Sequence, residues 1–225
     1  MNVATCLQHV PFEGPGVFRQ ALESRGFVLN ISLVPSQGLP PDPGDFLLVM
    51  GGPMSVNDAD SWIAEERHFV KAAMNNKIPV LGICFGAQLL AKASGGSVVP
   101  GPIFEVGMVP VTLTDAGATD SVFCQLPSMF QVFEWHGEGI LLPPEIPSLV
   151  ASGDFPVQAF RVRDRCYGLL FHPEMEEEGI QALCRECPED VKKGGIDSGM
   201  IQAEAAPHLP ALHQWADRLI AHLTS

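Results

Sequence analysis

Gly82-Ile83-Cys84-Phe85-Gly86-Ala87-Gln88 sets a cysteine between two glycines, each two residues away. The apolar run Ile78-Pro79-Val80-Leu81 before it reads as a short buried strand, and Leu89-Leu90-Ala91-Lys92-Ala93 after it reads as the body of a helix. A nucleophile at a strand-to-helix turn needs glycines there, because the turn is too sharp for side chains on both flanks. Cys84 would then stand at a helix N-terminus, where unpaired N–H groups and the helix dipole favour a thiolate and can stabilise an oxyanion. A lone buried cysteine is usually inert packing. The flanking glycines reverse that reading.

A cysteine nucleophile needs a base, and the base needs an orienting partner. Cys166-Tyr167-Gly168-Leu169-Leu170-Phe171 reads as a buried strand, with His172 at its end and Pro173 fixing the direction in which the chain leaves. Residues two apart in extended chain point to the same side, so Glu174 can hold the His172 imidazole in one tautomer. Taken alone, a histidine at a strand end is an ordinary hydrogen-bonding residue. Beside the elbow, His172 and Glu174 become base and orienter.

These two passages, together with Val49-Met50-Gly51-Gly52-Pro53-Met54 and Trp135-His136-Gly137-Glu138, resemble class I glutamine amidotransferases. The closest likeness is to the glutaminase part of GMP synthetase and its free-standing relatives, and it runs from the first strand to about residue 175. The resemblance implies that Cys84 attacks the side-chain amide of glutamine, forms a glutamyl thioester and releases ammonia. It implies His172 as base, Glu174 as its partner, and the backbone N–H groups of Gly52 and Phe85 as oxyanion donors. Gln88, Trp135, His136 and Gly137 would line the glutamine pocket. Met108 stands where the relatives often carry tryptophan, and Glu138 where aspartate usually follows His-Gly; both are expected at the pocket. No metal or cofactor is expected.

At 225 residues the chain suits one substantial domain, 1–225. Hydrophobic residues make up 46% and charged residues 17%, which fits a large core. A formal charge of −13 argues against a sequence-independent nucleic-acid binder, which needs a basic face. The N-terminus lacks the pattern of a signal peptide, and no apolar run approaches the ~20 residues of a membrane span. Six scattered cysteines do not form a disulfide framework, so a reducing cytoplasm is the expected setting.

The elements that must position these groups are legible in outline. Val3 to Leu7 is a strand, Gly14-Pro15-Gly16 opens a helix to Arg25, and Phe27 to Val34 is a second strand. Pro35 to Gly44 reads as a loop and Asp45 to Gly51 as a third strand. Asp60-Ser61 caps a helix with an apolar stripe of Trp62, Ile63, Phe69, Val70 and Ala73. Strand and helix in alternation predict a flavodoxin-like, doubly wound parallel α/β sheet. From about residue 97 to 162 the pattern becomes short strands without helices (Val98–Pro100, Met108–Leu113, Met129–Trp135, Leu149–Ser152, Val157–Val162), predicting a small antiparallel β extension. A last helix carries Leu209, Leu212, Trp215, Ala216, Leu219, Ile220 and Leu223 on one face.

Three further motifs lead nowhere or compete. Cys184-Arg185-Glu186-Cys187 has zinc spacing but no second ligand pair. Lys193 to Gly199 superficially resembles a phosphate loop, yet it lacks a preceding strand and enough following chain, and it reads as a loop. His136 is a rival base, with pocket wall and structural residue as its other readings. His9, His68, His208, His213 and His222 show no partner pattern.

The leading functional expectation is a free-standing amidotransferase that hydrolyses glutamine and passes ammonia to a partner synthetase. A γ-glutamyl peptidase or amidase using the same triad is the alternative. A non-catalytic binding module is third, disfavoured by the intact Cys84, His172, Glu174 and Gln88.

Overall fold

The computed structural model describes residues 1–225. Strand β1 (Asn2–Gln8) leads through α1 (Val17–Glu23) to β2 (Phe27–Leu33), a short α2 (Val34–Gln37) and β3 (Phe46–Val49). Helix α3 (Ser61–Asn75), β4 (Val80–Ile83) and α4 (Phe85–Ala93) follow. Then come β5 (Ser97–Leu113), α5 (Asp115–Thr119), β6 (Met129–Leu141), β7 (Ser148–Ala151), β8 (Ala159–Arg163) and β9 (Cys166–Leu169). Four helices close the chain: α6 (Glu177–Glu186), α7 (Pro188–Gly194), α8 (Ser198–Ala205) and α9 (Leu209–Leu223).

All nine strands join one sheet in the order β2-β1-β3-β4-β9-β8-β7-β5-β6. The first five run parallel, with β4 paired to β9, so the elbow strand and the histidine strand are neighbours. The remaining four pair antiparallel through β8. The doubly wound sheet with an antiparallel extension is therefore present, the extension running from Ser97 to Arg163. It contributes four strands, and the two stretches expected at Val98–Pro100 and Met108–Leu113 are one bulged strand, β5, whose register shifts between Pro100 and Glu105.

Side-chain alternation along the buried strands sorts two cores. Phe46 and Leu48 pack with α1 and α9, while Leu47 and Val49 pack with α3 and α4. The α9 face expected from periodicity is buried throughout. A third, smaller core lies between β6 and helices α6 and α8, gathering Phe133, Trp135, Ile180, Leu183 and Ile201.

Four local expectations are corrected. Asp60 precedes α3 but its side chain makes no capping hydrogen bond. The Pro35–Gly44 loop starts with the turn of α2, and α5 interrupts the β extension. The Lys193–Gly199 segment is not a plain loop: it links α7 to α8, because Asp197 caps the latter by accepting from the Gly199 N–H.

The elbow depends on the closeness of α4 to β3. A Cβ on Gly86 would lie 2.1 Å from the Val49 carbonyl oxygen, a backbone atom that cannot move aside. Gly86→Ala is expected to cost about 3 kcal/mol or prevent folding. Gly153→Ala, where a Cβ meets nothing within 4 Å, should be neutral. Urea denaturation of the two variants checks the contrast.

Candidate active site

The carboxyl ends of the parallel strands are where doubly wound folds place their ligands. Here four of them converge. His9 and the loop to Glu13 follow β1, Gly51-Gly52 follow β3, Cys84 follows β4, and His172 and Glu174 follow β9, which stops at Leu169 rather than running to Phe171 as expected.

Cys84 sits between β4 and α4 with φ 48° and ψ −106°, a conformation that L-residues rarely adopt. Its N–H donates to the Leu169 carbonyl at 2.7 Å, which ties the elbow to the adjacent histidine strand. The thiol is buried apart from a small exposed patch and lies 3.7 Å from the Trp135 carbonyl oxygen. Phe85 opens α4, so its N–H has no intrahelical acceptor.

His172 Nδ1 meets Glu174 Oε1 at 2.8 Å, both side chains almost wholly buried. The two-residue spacing does bring them together. Burial alone pulls the His172 pKa down, but the Glu174 carboxylate and the Cys84 sulfur outweigh it and hold the pKa well above the ordinary histidine value. The other nitrogen, Nε2, is buried with no hydrogen-bond partner. The backbone fixes both residues. His172 N–H donates to the Phe133 carbonyl at 2.8 Å, and the Glu174 carbonyl accepts from Val17 N–H at 3.1 Å. Gly16, at φ 47°, makes that last approach possible, since a Cβ there would lie 2.0 Å from the Glu174 oxygen.

The Gly52 N–H makes no hydrogen bond within the protein. The peptide that carries it is held from its other end, because His9 Nδ1 donates to the Gly51 carbonyl at 2.8 Å. His9 Nε2 in turn meets Glu66 at 3.0 Å, with both side chains fully buried. His9 thus has a partner and a position that sequence pattern did not reveal.

A cavity of about 280 Å³ opens over the sulfur. Gln88, Trp135, His136 and Gly137 line it, as expected, together with Gly52. Glu138 lines it too and accepts from Ser55 Oγ at 2.9 Å, while its carbonyl receives Gln88 Nε2 at 3.4 Å. Met108 does not line it; its side chain packs into the apolar clusters, and Phe104 supplies an aromatic wall. Residues not expected at the site also contribute: Glu13 from the loop after β1, and Cys187, Asp190 and Lys193 from around α7, the first and last of these three belonging to motifs set aside above. Glu13 had one legible signal, a carboxylate in the glycine-rich turn after the first strand of a doubly wound sheet. The α7 residues had none, since a charged surface helix looks alike wherever it folds.

His136 is held in a cluster of buried carboxylates. Its Nε2 lies 3.2 Å from Glu105 and 3.1 Å from Glu134, ion-pair distances without hydrogen-bond alignment, and all three side chains are buried. Burial opposes its charge, but the two carboxylates lift its pKa to about 10. Burial also raises Glu134, with His136 pulling the other way. Three such side chains could converge on a cation. A proton on His136 serves the same purpose, and Ser152 and Gln158 satisfy Glu105 at 2.9 and 2.7 Å. His136 is both pocket wall and the centre of a structural ion cluster.

The glutamine amidotransferase class-I family model matches residues 18–184. The glutamine amidotransferase-like protein YfeJ of Salmonella typhimurium is 31% identical over 193 residues, covering 81% of this chain and 80% of that protein. The glutamine-hydrolysing GMP synthase of Thermomicrobium roseum is 38% identical over 135 residues. That alignment takes in 57% of this chain but only 23% of the synthase, so the chain corresponds to about a quarter of it. A solved glutamine amidotransferase from Methylobacillus flagellatus superimposes with a TM-score of 0.88 at 27% identity, over 99% of this chain and 94% of that one.

Two outcomes follow from this geometry. Alanine keeps a Cβ at the positive φ of residue 84 whereas glycine removes it, so Cys84→Gly should be about 1 kcal/mol more stable than Cys84→Ala in urea denaturation. For His136, raised in the folded state to about 10, the stabilising charge is fully present below the unfolded value and is lost as pH rises toward about 10. The raised Glu134 pKa works in the same direction. Stability should therefore fall on the alkaline side, and His136→Gln should flatten that fall when unfolding is followed at pH 6, 8 and 10.

Proposed function

This chain belongs to the class-I glutamine amidotransferase family, and we propose that it hydrolyses the side-chain amide of glutamine through Cys84, His172 and Glu174. We read residues 1–225 as one amidotransferase-like domain that releases ammonia for a separate synthetase. The observation that carries the reading is the buried His172–Glu174 pair at 2.8 Å, with the imidazole close enough to the elbow cysteine for the Cys84 sulfur to raise its pKa.

In this reading His172 and Cys84 start as an imidazolium–thiolate pair. The thiolate attacks the amide carbon, and the oxyanion that forms is met by the N–H groups of Gly52 and Phe85. As the C–N bond breaks, the His172 proton passes to the departing nitrogen. Neutral His172 then takes a proton from water, whose oxygen attacks the thioester, and glutamate leaves as the sulfur is released. Glutamine and water give glutamate and ammonia. Gln88 and the Trp135-His136-Gly137 wall hold the substrate. A γ-glutamyl peptidase would use the same steps on a larger leaving group, and the placement of Asp190 and Lys193 at the cavity mouth is the feature that favours it.

Cys84→Ala is expected to remove turnover with the fold intact, and His172→Ala to cost nearly as much, because the two act as a unit. Glu174→Gln should cost less, about 10²–10⁴-fold, since it orients and stabilises the imidazolium. Ammonia release from glutamine and cleavage of γ-glutamyl dipeptides by the purified chain test the assignment. Brisk dipeptide cleavage without glutamine hydrolysis would transfer it to the peptidase.

A further inference from the structure

One carboxyl group in the cavity has no partner. Glu13 is 6% exposed, lines the cavity beside Cys84, and makes no side-chain hydrogen bond or ion pair. Its position is built rather than incidental. Gln8 Nε2 donates to the carbonyls of Val10 and Pro11 at 2.8 and 3.1 Å, and Glu13 N–H closes the same turn on Val10. A buried carboxylate left without a donor is costly, so a molecule in the cavity is its natural partner.

The surroundings of Gly51 show which part of that molecule it meets. A Cβ placed there would lie 2.5 Å from Glu13 Oε2, 3.1 Å from His172 Cε1 and 3.6 Å from the Cys84 Cβ. Glu13, the imidazole and the nucleophile therefore surround one point. In a substrate attacked by Cys84, the carbonyl oxygen turns to the Gly52 and Phe85 N–H groups. The nitrogen that leaves must turn to the imidazole that protonates it, the side on which Glu13 stands. Asp190, also on this side, is already engaged by Lys193 at 2.8 Å and Trp135 Nε1 at 3.4 Å. Glu174 keeps one oxygen free but spends the other on His172 Nδ1, whereas neither oxygen of Glu13 has a partner within the protein.

We propose that Glu13 is a further catalytic residue, whose carboxylate accepts an N–H hydrogen bond from the departing nitrogen and selects γ-amides of ammonia or simple amines. The inference rests on the functional reading above and deepens it. An amide N–H₂ donates weakly to a carboxylate, and the bond strengthens as the nitrogen gains its proton and becomes an amine. The interaction therefore acts on the transition state more than on binding. A γ-glutamyl amino acid carries a carboxylate one carbon from that nitrogen, and Glu13 would repel it. Glu13 and Asp190 both fall outside the 18–184 segment matched by the family model, so this selectivity belongs to parts of the chain that the match does not cover. Burial lifts the Glu13 pKa to about 7, with His172 and His9 pulling it down and Glu174 and Asp190 pushing it up. The active form is the carboxylate, so turnover should rise as pH climbs through about 7.

The test compares wild-type protein with Glu13→Gln on glutamine and on a glutamine-like chloroketone, which alkylates Cys84 but has no leaving nitrogen. Glu13→Gln should lower kcat on glutamine ~10–100-fold, with KM and the alkylation rate changed less than about threefold. The rise in kcat/KM near neutrality should vanish in the variant, and the wild-type preference for glutamine over γ-glutamyl dipeptides should shrink. Unchanged hydrolysis, or hydrolysis and alkylation falling in parallel, would overturn the proposal. Wild-type protein that fails to hydrolyse glutamine would instead overturn the functional reading beneath it, before any variant is compared.

Discussion

The site depends first on a single strained residue. Cys84 is held at φ 48° because β4 must end and α4 begin within one residue, and because α4 lies so close to β3 that only glycine fits at position 86. A non-glycine residue in that conformation costs on the order of 1–3 kcal/mol, which persists only where the surroundings over-determine it. Here they do. The Cys84 N–H is tied to β9 and the Gly86 N–H to the Met50 carbonyl at 3.2 Å, so the elbow is pinned to strands on both sides. Relaxing the residue would mean separating a helix from a sheet with its apolar face buried between them.

Around this point, each chemical group is fixed by a partner that belongs to a different element. The imidazole is set by Glu174, Glu174 by the start of α1, and the Gly51-Gly52 peptide by His9 and Glu66. The charges are arranged in the same way. Two histidines have raised pKa values, His136 in the cavity wall and His172 near Cys84, and each is paired with buried carboxylates. Each imidazole is thus held against its carboxylates before substrate arrives, His172 by Glu174 and His136 by Glu105 and Glu134. Such preorganisation acts without reorganising when charge develops on substrate.

Groups that announce themselves by local spacing were legible in the sequence. Cys84 between glycines, His172 two residues before Glu174, the apolar strands and the face of α9 all rest on short-range geometry, and they stand where that geometry put them. Contacts that cross the fold were not legible. His9 and Glu66 are 57 residues apart, and His136 finds Glu105 across the β5–β6 pairing. Nothing in the pattern around any of them distinguishes a buried partner from a surface charge. The β5 bulge hid a long strand behind two short apolar runs, and the short helices α7 and α8 carry too little periodicity to reveal what they cover. Met108 shows the converse error. A position can align with a pocket residue of relatives and still turn its side chain into the core.

The support behind Gly51 bears on how such a site could be restrained. A glycine-rich loop can in principle turn a peptide so that its N–H points away from substrate, leaving the oxyanion hole unassembled until a partner docks. In this chain that movement would break the His9 bond to the Gly51 carbonyl and leave polar groups unsatisfied in a buried setting. The cost is about 1–3 kcal/mol for the carbonyl alone, more with the His9–Glu66 pair disturbed. A flip is therefore disfavoured by a factor of about 5–150 before any partner acts. Restraint that operates on this site is more economically placed at the mouth of the cavity, where Asp190 and Lys193 of α7 pair with each other and lean on Trp135 and Phe104. Those contacts are exposed or half-exposed, are held by side chains rather than by a buried peptide, and can be exchanged for contacts with another molecule at little cost. The Gly51-Gly52 peptide is held by buried bonds, whereas the cavity mouth is held by side-chain pairs nearer the surface.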